Sequence, residues 1–374
     1  MSFSLATLWH ERQRYRAGVL AVAFSAVLIA LQFGLLLGML SVTAIPIDRT
    51  RADLWVGAAD VLSVDIGGPI PTAWVSRVAE HPDVAAVEEY CQGFAKWKKA
   101  NGGEELCIVI GSRLEDGSLG AVEALTPELR EKLTEPGSVV VDEGELERLG
   151  LEHGGAGETG EILGRKVRIV GLIRGYKSTA GPYVFASLST ARPLLRLQPD
   201  QATYLLGKCH APAQAGAVVE QLQRYKDDMS AFTSAEFSQR SQVHWLTKTK
   251  AGIALGYAAA LGLLVGAVVT SQTLYAATVA SLREYAVLRA LGIPRWRMAV
   301  MVMLQSFWVG VIGVSLALPA MFGASGLAER LGVRVDLPWW LLISAVSITL
   351  ATALLAGLVA LRSLRLVEPA ALLR

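Results

Sequence analysis

The chain has 374 residues, 52% of them hydrophobic, with a mean hydropathy of +0.41 and a formal net charge of only +2. That balance excludes a disordered chain and an ordinary soluble enzyme, and it gives no reason to expect a nucleic-acid partner. It fits a membrane protein that also carries a sizeable globular part.

Residues 1–16 read as an amphipathic helix on the inner membrane face. Phe3, Leu5, Leu8 and Trp9 are apolar, and Arg12, Arg14 and Arg16 can meet anionic lipid headgroups. Residues 17–47 form an uncharged run of 31 residues. A bilayer span needs about 20, whereas the apolar core of a signal peptide has roughly 7–15, so an uncleaved first span is expected. It contains Gly34-x-x-x-Gly38, a spacing of small residues that lets helix backbones approach closely in a membrane.

Residues 48–250 have ordinary globular composition, with 23 basic and 28 acidic residues, and are long enough to bury a core of their own. The stretch opens with Ala52-Asp53-Leu54-Trp55-Val56, followed by a strand-like Asp60–Val64. Pro71–Glu80 suits a helix with Pro in its first turn. Val84–Lys98 and Glu104–Gly111 read as strands joined by a turn at Asn101-Gly102-Gly103. Between about 113 and 200 the chain is rich in Gly, Pro and short β-like stretches at Ser138–Val141, Lys166–Leu172 and Tyr183–Ala186, with Gly154-Gly155-Ala156-Gly157 as punctuation. This segment is expected to be a β-rich subdomain inserted between two β-α-β-like halves. The second half holds a strand at Thr203–Cys209, a helix at Ala213–Tyr225 and a strand at Met229–Thr233. Ser234, with Phe237 three residues on, starts a helix expected to run into the second span. Cys91, Cys107 and Cys209 are odd in number, which argues against a disulfide framework and for buried free thiols.

Three more spans follow, at 251–282, 298–328 and 337–361. The second contains two small-residue pairs, Gly252/Gly256 and Gly262/Gly266, a candidate helix-packing or homodimer interface. Between spans two and three lies the most informative stretch, residues 283–297. It reads as a short basic helix with Tyr285, Leu288 and Leu291 at i, i+3 and i+6, and Gly292 followed by Pro294 is a helix stop. A positive-inside loop accounts for Arg283, Arg289, Arg295 and Arg297, but not for Tyr285, Val287, Leu288 and Leu291 outside the bilayer. The N-terminal tail, this loop and the tail 362–374 are all basic, which sets all three in the cytoplasm and the 48–250 domain outside. The protein is thus expected to be a multi-pass protein of the inner (plasma) membrane.

No Gly-x-x-x-x-Gly-Lys-[Ser/Thr] phosphate loop, His-x-x-x-His or Cys-x-x-Cys metal spacing, or Gly-x-Ser-x-Gly elbow occurs. No catalytic or metal-ligating residue is therefore expected, and no cofactor in this chain. The spans carry almost no ionisable side chain, unlike proton- or ion-coupled transporters. Gln272 and Gln305 are the notable polar groups in them.

One span, a large outer domain, then three spans with Arg283-Glu284-Tyr285-Ala286-Val287-Leu288-Arg289-Ala290-Leu291-Gly292 after the second, resembles the FtsX/MacB-type ABC permeases, the DevC-like exporters in particular. Ala52-Asp53-Leu54-Trp55-Val56 and Glu368-Pro369-Ala370-Ala371-Leu372-Leu373-Arg374 support the resemblance. Where such proteins often carry an acid early in the third span, Gln305 and Ser306 stand here. The resemblance implies a four-span helical bundle with a large extracytoplasmic α+β domain, made of a porter-like part and an inserted β-rich part. It also implies a homodimer with separate ABC ATPase subunits that bind ATP and Mg, docked through a coupling helix made of Arg283, Glu284, Tyr285, Ala286, Leu288, Arg289, Ala290, Leu291 and Gly292. A membrane-fusion protein and an outer-membrane channel would complete an exporter of a hydrophobic or lipid-like substrate. An FtsX-like regulator of a periplasmic cell-wall hydrolase and a lipoprotein-releasing permease are the alternatives.

Overall fold

The computed structural model describes residues 12–99, 102–151, 154–178, 180–225, 229–280, 287, 291–330 and 333–366. The chain divides into two compact units, residues 40–249 and residues 1–39 with 250–374.

The 40–249 unit is built on a nine-stranded sheet. In chain order its strands are β1 (Leu54–Ala58), β3 (Val84–Lys98), β4 (Glu104–Ser112), β5 (Ser138–Asp142), β6 (Thr159–Ile162), β7 (Arg165–Ile173), β8 (Tyr183–Ser187), β10 (Tyr204–Cys209) and β11 (Met229–Thr233). The small pair β2 (Ile70–Pro71) and β9 (Gln201–Ala202) lies apart from it. The spatial order is β11-β1-β10-β3-β4-β8-β5-β7-β6, and β6 also pairs with β3 through Trp97↔Ile162 and Lys98↔Glu161. Six strands, β3-β4-β8-β5-β7-β6, therefore close on themselves, which removes their free edges.

β3 makes this possible. Its first half pairs with β10 up to Tyr90↔Tyr204, and its second half pairs with β4 from Cys91↔Gly111 onward. Fifteen residues at about 3.3 Å each are long enough to serve both parts. The expected inserted subdomain is thus not separate: β5 to β8 form its walls, but β3 and β4 complete it and carry one sheet across the whole unit. Trp97 fills the closed end, its Nε1 donating to Leu149 O at 3.1 Å. A Cβ on Gly160 would overlap the indole.

Other expectations are corrected locally. Asp60–Val64 is no strand: Asp60 has φ +57°, which ends any extended run, and Val64–Ile66 is a single 3-10 turn. The helices α2 (Trp74–Ala79) and α5 (Ala215–Leu222) are shorter than the stretches Pro71–Glu80 and Ala213–Tyr225. α3 (Pro127–Leu133) and α4 (Leu188–Leu194) flank the sheet. α6 (Ser234–Lys248) begins with a capping box: Thr233 Oγ1 accepts from Glu236 N, and Glu236 Oε2 from Thr233 N. It does not run into the next helix, because Thr249 is extended at φ −93°, ψ 145°.

The other unit holds α1 (Arg12–Thr43, whose last turn belongs to the first unit), α7 (Lys250–Ala280), α8 (Arg295–Arg330) and α9 (Trp339–Leu366). Each contains a segment long and apolar enough to cross a bilayer: Tyr15–Thr43, Lys250–Ala277, Trp296–Arg330 and Trp339–Val359. The architecture is a four-span membrane unit with a large α/β domain. Arg12–Arg16 continue α1 without a break, so no separate surface helix ends at 16; residues 1–11 lie outside the described residues. α1 stops at Thr43 because Pro46, in the turn Ile45–Asp48, has no N–H to offer Val42 O. That carbonyl instead accepts from Tyr183 OH at 3.4 Å.

Small residues set the packing among these helices. Gly313 of α8 lies against Val22 of α1, Gly310 against Leu350 of α9, and Gly357 against Ser306 of α8. The pair Gly34 and Gly38 meets a loop rather than a helix: Asp336 N donates to Gly34 O at 3.1 Å, and a Cβ on Gly38 would overlap the Arg334 carbonyl.

Candidate coupling site

The stretch between α7 and α8 is where sequence reasoning puts the chemistry of partner docking. Of its residues, Arg283, Glu284, Tyr285, Ala286, Leu288, Arg289 and Ala290 lie outside the described residues. What is described is the end of the segment. Val287 is helical, and Leu291 N donates to Val287 O at 3.0 Å, a helical i→i−4 bond. Gly292 then takes φ +87°, the left-handed conformation that ends helices at little cost only for glycine. Nothing lies within 4 Å of where its Cβ would be, so conformation alone, not space, calls for glycine here. Pro294 starts the return: Arg297 N donates to Pro294 O, and α8 begins at Arg295.

The end of the segment leaves apolar groups uncovered. Leu291 is 75% exposed, Val287 47% and Trp296 64%. The Arg297 guanidinium lies 5.3 Å from the centre of the Trp296 ring, a cation–π contact that holds a charge beside the apolar face.

The second candidate set, on α7, divides. Gly262 and Gly266 face α1 of the same chain: a Cβ at 262 would come 2.9 Å from Gln32 Cγ, and one at 266 would come 3.3 Å from both Ile29 Cδ1 and Ser25 Cβ. Beside them Ser25 Oγ donates to Gly266 O at 2.9 Å, and Thr270 Oγ1 donates to Ser25 Oγ at 2.9 Å. This hydroxyl pair ties α1 to α7 inside the apolar unit. Those two glycines therefore serve packing within the chain. Gly252 is buried and Gly256 half-buried. The exposed stripe of α7 is formed instead by Ile253, Tyr257, Leu261, Leu264 and Val268, spaced by three and four residues. Gln305 is buried and Gln272 exposed.

In the outer unit the Ala52–Val56 stretch has a clear task. Trp55 is fully buried, with Tyr90, Tyr204 and Phe237 around it at ring-centre distances of 5.2, 5.5 and 5.7 Å. Phe237 belongs to α6 and also stacks on Phe232 at 5.2 Å. Ser234 Oγ donates to Ala52 O at 2.6 Å and Ser234 N to Asp53 O at 3.0 Å. Asp53 in turn accepts from Lys208 Nζ and Cys209 N. The first strand is thus bolted to the helix that precedes α7, a role that the motif's composition alone did not reveal.

Residues 256–369 match the family model described as FtsX-like permease C-terminal. The C-terminal part of the chain is similar to the FtsX-like permease domain. It takes in most of α7, the Gly292 turn, α8 and α9. The periplasmic region of MacB from Actinobacillus actinomycetemcomitans is similar at 13% identity and a TM-score of 0.36, over 52% of this chain and 94% of that one. The extracellular domain of the noncanonic ABC-type transporter YknZ from Gram-positive bacteria is similar at 8% identity and a TM-score of 0.33, over 47% of this chain and 99% of that one. A comparison with curated proteins finds no match. The protein is a multi-pass membrane protein, and the candidate coupling segment lies within the stretch that matches the family model.

Proposed function

We propose that the chain is the non-catalytic transmembrane subunit of an ABC exporter. It passes conformational work from a separate ATPase, which binds ATP and Mg, to the 48–250 domain outside the membrane. That domain then moves a hydrophobic or lipid-like substrate. The observation that carries this reading is the glycine-terminated segment ending at Leu291-Gly292, set between two spans of an FtsX-like permease domain, with Leu291 uncovered. Helix-in-groove docking uses apolar anchors at i, i+3 and i+6 spacings, which Tyr285, Leu288 and Leu291 supply. Arg283 and Arg289 pair with acidic groups on the rim and tune rate more than affinity. The arginine asymmetry places this segment in the cytoplasm and fits an inner membrane. A second copy of the chain, a membrane-fusion protein and an outer-membrane channel complete the assembly.

The test is Leu288→Asp. Truncating a buried anchor costs about 2 kcal/mol, near a thirtyfold loss at ~1.4 kcal/mol per tenfold. The variant should insert normally yet fail to co-purify the ATPase. Normal co-purification together with normal transport would end the coupling reading and leave the segment as a topological anchor.

A further inference from the structure

Asp65 sits in the 3-10 turn Val64–Ile66 and is only 5% exposed. Its Oδ1 accepts from Gln92 Nε2 at 3.0 Å, and its Oδ2 from Trp245 Nε1 at 3.0 Å. Among the described residues no Lys, Arg or His pairs with it. The titratable groups acting on it from the surrounding strands are Tyr90 of β3, Tyr183 of β8 and Tyr204 of β10, all neutral near pH 7. On α6 its partner is the neutral Trp245. A carboxylate held by two neutral donors, with no cation, is an expensive thing to bury.

The same segment holds the C-terminal half of α6. Val64 N donates to Ser241 Oγ at 3.1 Å, Arg240 Nε donates to Val61 O at 3.0 Å, and Trp245 completes the set at Asp65. Trp245 lies one turn before Thr249, where the helix ends. Gln92 Oε1 is buried and has no partner among the described residues.

We propose that Asp65 is a proton-operated latch: with the carboxyl neutral it clamps the end of α6 to the outer domain through Trp245 and Gln92, and its ionisation loosens that clamp. The atoms account for both states. When Asp65 is protonated, its O–H donates to Gln92 Oε1 once that amide turns over, and its other oxygen still accepts from Trp245 Nε1. No charge is then buried, and the one buried polar atom of this set left without a partner is Gln92 Nε2, in the place that Oε1 held before. When the proton leaves, the charge is best relieved by water, and the Trp245 end of α6 is the element whose lifting admits it. Burial raises the Asp65 pKa to about 6, against the opposing bonds from Trp245 and Gln92. The packed state therefore binds the proton more tightly than an opened, hydrated state with an ordinary aspartate. Its stabilisation is complete below the ordinary aspartate range and is lost as pH rises through about 6. The inference concerns the outer domain alone and does not rest on the exporter reading.

Other ionisable groups lie nearby: Asp48, raised by burial, is hydrogen-bonded to Ser238 of α6, and His244 adjoins Trp245 in sequence. The experiment separates them. Amide exchange of the 240–248 region is followed in the full chain in lipid nanodiscs from pH 5 to 8, with correction for intrinsic exchange. The opening equilibrium should rise with pH around a midpoint near 6, by about tenfold between pH 5 and 8. Asp65→Asn should flatten that profile. Trp245→Phe keeps a ring but removes a donor to the carboxylate, so its midpoint should move upward. An Asp65→Asn profile like the wild type's overturns the latch, and so does an unmoved midpoint in Trp245→Phe. If Asp65→Asn does not fold, the Trp245→Phe midpoint decides alone.

Discussion

Phe237→Ala should free α6 while leaving the closed six-stranded part intact. Phe237 is fully buried and meets Trp55, Tyr204 and Phe232 at ring-centre distances of 5.7, 5.6 and 5.2 Å. Replacing a buried Phe by Ala costs about 3–5 kcal/mol through lost transfer energy and the cavity left behind. Because three aromatic partners lose their neighbour at once, the upper part of that range applies. At ~1.4 kcal/mol per tenfold this raises the open population of α6 by about 1,000- to 4,000-fold. Limited trypsin digestion of the full chain in nanodiscs reads this directly at Arg240 and Lys248, since cleavage tracks the open population when reclosing is fast. Cleavage at Arg165 and Lys166, in β7, is the internal reference. An unchanged rate at Arg240 would refute the claim that the aromatic cluster holds α6. An equal rise at both places would show one cooperative unit in which α6 has no separate opening.

Glycine positions divide by what surrounds them. Gly38→Ala should lower the apparent melting temperature in detergent, because the new Cβ meets the Arg334 backbone, with an overpacking cost of about 1–3 kcal/mol. Gly323→Ala, in open space on α8, should be neutral or stabilising in the same assay. Gly262→Leu should destabilise the isolated chain through Gln32, and a loss of crosslinked dimer without any loss of monomer stability would show that the glycine faces a partner instead. Cys91, Cys107 and Cys209 are free and buried, and burial pushes the Cys91 thiol up to about 11 and the Cys107 thiol up to about 12. Neither of these two should react with maleimide at pH 7.5 before denaturation, and both should react after it.

The four apolar helices were legible because their signal is long and redundant: some twenty uncharged residues allow few other structures. β3, β4 and β11 were legible to within a residue, since β-favouring runs and a Gly-rich turn specify them locally. What stayed hidden depends on distant partners. Nothing near Trp97 announces that Ile162 will pair with it, so the closure of the six strands appears only in three dimensions. Asp60–Val64 carries Val61, Leu62 and Val64 as a short strand would, but Asp60 enters the left-handed region and the segment becomes the ledge on which α6 rests. Asp65, in the 3-10 turn of that segment, is buried. Its burial follows from Gln92 and Trp245, 27 and 180 residues away. For Gly262 and Gly266 the spacing suggests close packing but does not say which helix approaches, and in the structure α1 of the same chain lies against them.

A domain with one movable element needs stiffness where that element is anchored and freedom at one defined place. α6 has both. At its start, a capping box, Ser234 on Ala52 and Asp53, and Phe237 in the aromatic cluster fix it to β1. Such a start cannot slip without breaking several bonds together, which is what cooperative packing supplies. Toward its end the described hydrogen bonds to the 61–65 segment are those of Arg240, Ser241 and Trp245, and the last goes to the Asp65 carboxyl. Thr249 then leaves the helical conformation altogether. A polar hold suits this place better than an apolar one. Apolar contacts respond weakly to conditions, whereas a buried carboxyl without a cation changes its balance by about tenfold between pH 5 and 8. The gradient along α6, from aromatic and fixed to polar and titratable, thus makes the last turns before Thr249 the part of the domain most readily moved.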